Sequence, residues 1–219
     1  MPWSLTGRTE DTLVLETDYK AGTKYGPRGL SWPGSFHGRV VYKLAITAGV
    51  TTLTVTTAVT HTSAPPLPYG TGTHPYFARQ WRGHGAQIQV EGLGGVYELD
   101  NCLPRSGETV PIPEALDFSG TAHTFPTDST VDDIFIRDPS AETVSVAITY
   151  GDAMSLTLES QAPHWVLYSP PAQPYFAVEP VTNCNDAFNL CHDTPAVNAV
   201  TLAEGETLSL SYTMTIETK

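Results

Sequence analysis

Positive charge is scarce in this sequence. Eleven lysines and arginines stand against 23 aspartates and glutamates, for a net charge of −12 over 219 residues. Nucleic acids and anionic membranes are held by clustered basic side chains that displace counterions, so both are excluded as partners and a neutral or cationic ligand is expected. Cysteine is rare and odd in number: Cys102, Cys184 and Cys191 read as free thiols rather than a disulfide framework. Cys184 and Cys191 lie near His192, but there is no Cys-x-x-Cys pair and no second pair of ligands at suitable spacing, so no metal is expected. No apolar run approaches a membrane span, and the first thirty residues lack the basic-then-apolar order of a signal peptide. A soluble, cytoplasmic protein is the expectation. An amphipathic helical stripe of a dozen or so residues is also missing.

What the chain has instead is β pattern. Thr12–Glu16 reads as a short strand, and Lys20–Gly38, rich in glycine and proline, as a long irregular loop in which Trp32 and Phe36 anchor on the core. Arg39–Thr62 is saturated with Val, Thr, Ile and Leu and broken at Ala48-Gly49, which predicts a hairpin with Leu53, Val55, Thr57 and Val59 on its inner face. His61 at its end reads as a satisfied rim histidine. Strands follow at Ala86–Val90 and Val96–Leu99 around a turn at Gly92–Gly95, and Pro104–Asp128 reads as loop. A second hairpin spans Glu142–Ser160 with Gly151-Asp152 as a two-residue turn. His164–Tyr168, with Trp165 and Leu167 on one face and Val166 and Tyr168 on the other, precedes the Tyr175 strand, and Thr207–Glu217 alternates to the end. About a dozen antiparallel strands in two packed sheets, one all-β sandwich domain over residues 1–219, is the predicted architecture.

Two stretches carry ionisable groups in positions where chemistry is feasible. In Tyr175–Glu179, Phe176 and Val178 share one face while Tyr175, Ala177 and Glu179 share the other. Pro180 should end that strand and leave the Glu179 carboxylate at a sheet rim, either as a solvated edge residue or as a catalytic group. Gly70–Arg79 runs through a Gly/Thr-rich approach into His74-Pro75-Tyr76-Phe77. A histidine and a glutamate presented at strand ends suit paired acid–base work, since imidazole titrates near neutrality and burial raises a carboxylate toward it.

Together and in this order, His74-Pro75-Tyr76-Phe77 and Val178-Glu179-Pro180 followed by Asp186-Ala187-Phe188-Asn189 resemble the aldose 1-epimerase (galactose mutarotase) family. Trp32-Pro33-Gly34-Ser35-Phe36, Tyr42-Lys43-Leu44 and Glu204-Gly205-Glu206 resemble further elements of it, so the likeness covers nearly the whole chain from Trp3. It implies the large antiparallel supersandwich of galactose mutarotase-like proteins and interconversion of sugar anomers, without metal or cofactor. It further implies Glu179 as general base, His74 as general acid, Tyr76 as a sugar contact and Asp132, in Val131-Asp132-Asp133-Ile134-Phe135, as the hydroxyl-binding aspartate; Asp133 is an alternative for that contact. Trp165 on the neighbouring strand is either a sugar-stacking aromatic or core packing. A monosaccharide is the implied ligand. Two other readings are a hexose-6-phosphate mutarotase, for which basic residues are too few and scattered, and a non-catalytic or weakly active carbohydrate-binding relative. Chains of the family carry strands and a His-Gly-x-x-Arg-like element ahead of a Pro-Trp, whereas this sequence opens on Met1-Pro2-Trp3. The sandwich is therefore expected to be N-terminally short, with weak sugar binding or a homo-oligomer covering an open sheet edge.

Overall fold

Alternating Val, Thr and Ile make most of this chain a pleated surface with one apolar side. The computed structural model, which describes residues 2–191 and 195–218, is built almost wholly of strands. In chain order they are β1 (Ser4–Arg8), β2 (Thr12–Tyr19), β3 (Phe36–Thr47), β4 (Val50–His61), β5 (Leu67–Tyr69), β6 (Tyr76–Ala78), β7 (Gln80–Trp81), β8 (His84–Glu91) and β9 (Leu93–Asp100). The second half adds β10 (Leu103–Val110), β11 (Val131–Arg137), β12 (Val144–Tyr150), β13 (Met154–Ser160), β14 (His164–Ser169), β15 (Tyr175–Val181), β16 (Val200–Leu202) and β17 (Thr207–Thr218). One helical turn, α1 (Ala187–Leu190), and two short 3-10 turns complete the described elements.

The strands form an antiparallel nine-stranded sheet, ordered β1-β2-β3-β4-β17-β13-β12-β8-β7, and a six-stranded sheet, ordered β10-β9-β11-β14-β15-β6. Their inner faces meet in one core. Val144, Val146, Ile148 and Leu158 of the large sheet pack with Phe135, Trp165, Leu167, Phe176 and Val178 of the small one, all closed to solvent. This is the all-β supersandwich expected from the sequence. No described helix is long and apolar enough to cross a membrane.

Four local expectations are corrected. Pro180 does not end its strand: it lies within β15, opposite Trp165, and its missing N–H faces the neighbouring Thr73, which donates to the Pro180 carbonyl (3.2 Å). Pro104 lies within a strand as well, because β10 is an edge strand, where a missing donor is tolerated. Gly94 and Gly95 belong to β9 and Phe36 opens β3, so the flanking loops are shorter than their composition predicts. The β12–β13 hairpin closes through three residues, Gly151–Ala153, with Tyr150 opposite Met154.

Candidate active site

The site is built on the outer face of the six-stranded sheet, and strand register assembles it. Glu179 of β15 pairs with Val166 of β14, and Ala177 pairs with Tyr168. On the other side Ala177 pairs with Tyr76 of β6, and beyond β6 an isolated bridge joins Gly72 to Val181. Between those two anchors the count of residues is equal on each strand, so His74 falls directly across from Glu179. The flanking bonds run from Thr73 N–H to the Pro180 carbonyl and from Val178 N–H to the Pro75 carbonyl (3.4 Å), while the two prolines have no N–H to return. His74 and Glu179 are thus a non-hydrogen-bonded cross-strand pair, the kind in which side chains approach most closely. The Gly-rich lead into His74 serves that approach: a Cβ on Gly72 would stand 2.6 Å from Val181 Cγ1.

The resulting contact is His74 Nε2 to Glu179 Oε1 at 3.1 Å. The carboxylate side is nearly closed, with 11% of the Glu179 side chain exposed, whereas the imidazole is 48% exposed and faces water. The His74 ring stacks on Tyr76 (centroids 4.5 Å apart, planes at 23°), and its Nε2 also lies 3.4 Å from the Tyr76 hydroxyl. Tyr168 meets it edge-on at 6.3 Å. Burial pushes the Glu179 carboxyl up to about 7, and the negative charge of Asp132 adds to the shift. Asp132 stands on the same face two strands away, opposite Tyr168, and accepts a hydrogen bond from the Cys102 thiol (3.4 Å). That carboxylate raises the thiol's pKa in turn.

Of the residues singled out in the sequence, His74, Tyr76, Glu179 and Asp132 share this face. Trp165 does not. It is 1% exposed on the opposite face, packed in the core, with its indole N–H donated to the Ala162 carbonyl; of the two openings left to it, core packing is where the structure places it. The parity of β14 explains this, because Trp165 and Leu167 point inward and Val166 and Tyr168 outward. Asp133 occupies the other face of β11, half-buried, with Oδ2 accepting from the Asp132 N–H (3.3 Å), and burial raises its pKa. Tyr168 is the site residue that sequence reasoning passed over. Its signal was present in the alternation of His164–Tyr168, which put it on the side of β14 away from Leu167. His61 and His164 are fully buried and engaged, His61 with the Tyr69 hydroxyl and the Pro65 carbonyl, His164 with the Tyr97 hydroxyl. Burial drives His164 down to about 4, which keeps it neutral. No cluster of three or more metal-ligating side chains occurs among the described residues. Cys184 is buried and Cys191 partly so, while His192 lies outside the described residues.

A twisted antiparallel sandwich carrying a carboxylate–imidazole pair on an open sheet face defines a class of protein, and comparison with known proteins identifies it. The aldose 1-epimerase family matches residues 1–215, and the chain belongs to that family. Over 121 residues it is 32% identical to the uncharacterised protein YphB of Escherichia coli K12, a match spanning 55% of this chain and 35% of YphB. The crystal structure of a proposed aldose 1-epimerase from the same organism superposes with a TM-score of 0.72 at 25% identity, covering 99% of this chain and 69% of that one. A galactose mutarotase-like protein of Clostridium acetobutylicum shares the fold, with a TM-score of 0.77 at 16% identity over 99% of this chain and 67% of its own. The chain thus spans about a third of YphB and about two thirds of these solved structures.

Proposed function

We propose that this chain interconverts the α and β anomers of a free aldose such as galactose or glucose. The observation that carries the reading is the 3.1 Å contact between a water-facing imidazole and a buried carboxylate tuned to about 7. Such a pair is matched to proton transfer near neutral pH. Glu179, as carboxylate, takes the proton from the C1 hydroxyl. The O1 electrons form the C1 carbonyl, the C1–O5 bond breaks, and the ring oxygen receives a proton from His74. Rotation about C1–C2 presents the other carbonyl face, and the steps reverse. Asp132 orients sugar hydroxyls across the β14 strand, with Tyr76 and Tyr168 flanking the ring. A neutral sugar fits best, because the two charges acting at Glu179 and Asp132 are both negative. The nearby Arg79 is turned away, spending its guanidinium on Ser169 Oγ and the carbonyls of Phe125, Pro126 and Pro170.

Polarimetry on freshly dissolved α-D-galactose and α-D-glucose tests the reading, with optical rotation expected to relax faster than in buffer alone. Relaxation at the buffer rate between pH 6 and 8, with calorimetry still registering sugar binding, would leave a carbohydrate-binding relative without turnover as the correct description.

A further inference from the structure

The inner face of the nine-stranded sheet is covered over only part of its width. On β12, β13, β17 and β4, Val146, Leu158, Tyr212 and Val55 are buried against the six-stranded sheet. The same face continues in register across β3, β2 and β1, where Tyr42 pairs with Val55 and Leu13, and Leu15 pairs with Leu5. There exposure climbs from 37% at Tyr42 and 41% at Leu44 to 43% at Leu13, 56% at Leu5 and 70% at Ile46. The opposite face of these strands carries Glu16, Asp18, His37 and Arg39, joined in ion pairs. The alternation therefore assigns burial to the side that nothing among the described residues covers, and a hollow of about 890 Å³ opens there.

We propose that a second copy of this chain covers this face in a two-fold dimer. The area favours it: the five exposed apolar side chains present on the order of 400 Å², in the range that marks an interaction surface. The turn and edge residues around them bring it toward the ~800 Å² per partner of a standard interface. The charges at its lip are self-complementary. Arg8 stands on this face opposite Leu13, and Glu10 lies in the turn that follows; both line the hollow. Neither makes an ion pair among the described residues, whereas the neighbouring Asp11 carboxylate already accepts from the Thr9 and Thr12 hydroxyls. A two-fold axis that brings Arg8 to the partner's Glu10 forms that pair twice in the dimer, which sets orientation while the apolar area supplies affinity. β1 is also the terminal strand of its sheet, so the same docking shields an exposed edge.

Sedimentation equilibrium of the 219-residue chain is expected to give twice the 23.6 kDa of one chain. Ile46→Asp, at a position exposed enough for the fold to tolerate it, should raise the dimer dissociation constant at least about tenfold by placing a charge in the interface. Arg8→Glu should weaken the dimer, and adding Glu10→Arg should restore it. A monomer at all concentrations overturns the proposal, as does a dimer indifferent to Ile46→Asp and to the charge swap. Monomers in which added upstream sequence protects Leu44 and Ile46 from exchange would name a different occupant and overturn it too. None of these readouts depends on turnover.

Discussion

The two faces of the six-stranded sheet are separated by the thickness of one strand, yet they follow different rules. Inward, Phe135, Trp165, Leu167, Phe176 and Val178 are closed off and belong to one apolar cluster. Outward, the alternate residues of the same strands are Asp132, Tyr168, Ala177 and Glu179, with His74 across the edge. The core face supplies the rigidity and low polarity that fix Glu179; the outer face leaves its histidine partner in contact with water. Proton affinity is set by that asymmetry: a fully solvated Glu179 would titrate in the ordinary carboxylate range, and one without an exposed neighbour would have no route for its proton.

The comparison can be broken most severely on the outer face. Glu179→Gln preserves shape and removes the proposed base, so mutarotation is expected to fall about 10²–10⁴-fold while the fold survives. Folded Glu179 holds its proton more tightly than the unfolded chain does. The folded state is therefore favoured below the ordinary carboxylate range, and that advantage is lost as pH rises through about 7. The Gln variant should accordingly melt above the parent at pH 8 and level with it near pH 4, in paired thermal scans. A lower melting point at pH 8 would show that the carboxylate stabilises the fold.

On the core face the same measurements should separate in the opposite sense. Trp165→Ala opens a cavity and is expected to cost about 3–5 kcal/mol in denaturant unfolding. Sugar affinity, measured by calorimetry under conditions where the variant remains folded, should be little changed. A loss of binding at unchanged stability would put Trp165 back among the sugar contacts. The smallest effect is expected at Asp132→Asn, which removes one of the two causes raising Glu179. The acid limb of the pH–rate profile should move to lower pH by less than about one unit, and an unmoved limb would leave burial as the sole cause.

How much of this was legible in the sequence depends on whether the signal was local. Alternation along Tyr175–Glu179 and His164–Tyr168 assigned each residue to the correct face, because a period of two is a property of the strand itself. The opposition of His74 and Glu179 was legible only as two similar motifs. Their register depends on pairing across 105 positions of chain, fixed by the Gly72–Val181 and Tyr76–Ala177 contacts. For Trp165 the sequence leaves sugar contact and core packing both open, because adjacency to the Glu179 strand does not say which side is shared; its parity with Leu167 points inward, where the structure buries it. Pro104 and Pro180 read as breaks because composition does not reveal which side of a strand a missing donor faces.

The two prolines beside the candidate pair have a mechanical consequence. A ladder that would exchange four hydrogen bonds around His74 and Glu179 makes two, at 3.2 and 3.4 Å, at the margin of a sheet whose β14–β15 seam is continuously paired. The ladder is therefore thinned along the line where the candidate pair meets, beside a seam that is fully paired. With fewer backbone bonds holding it, the His74 segment is expected to adjust to Glu179 more readily than a fully laddered strand would, while the Arg79 guanidinium anchors the chain three residues past Tyr76.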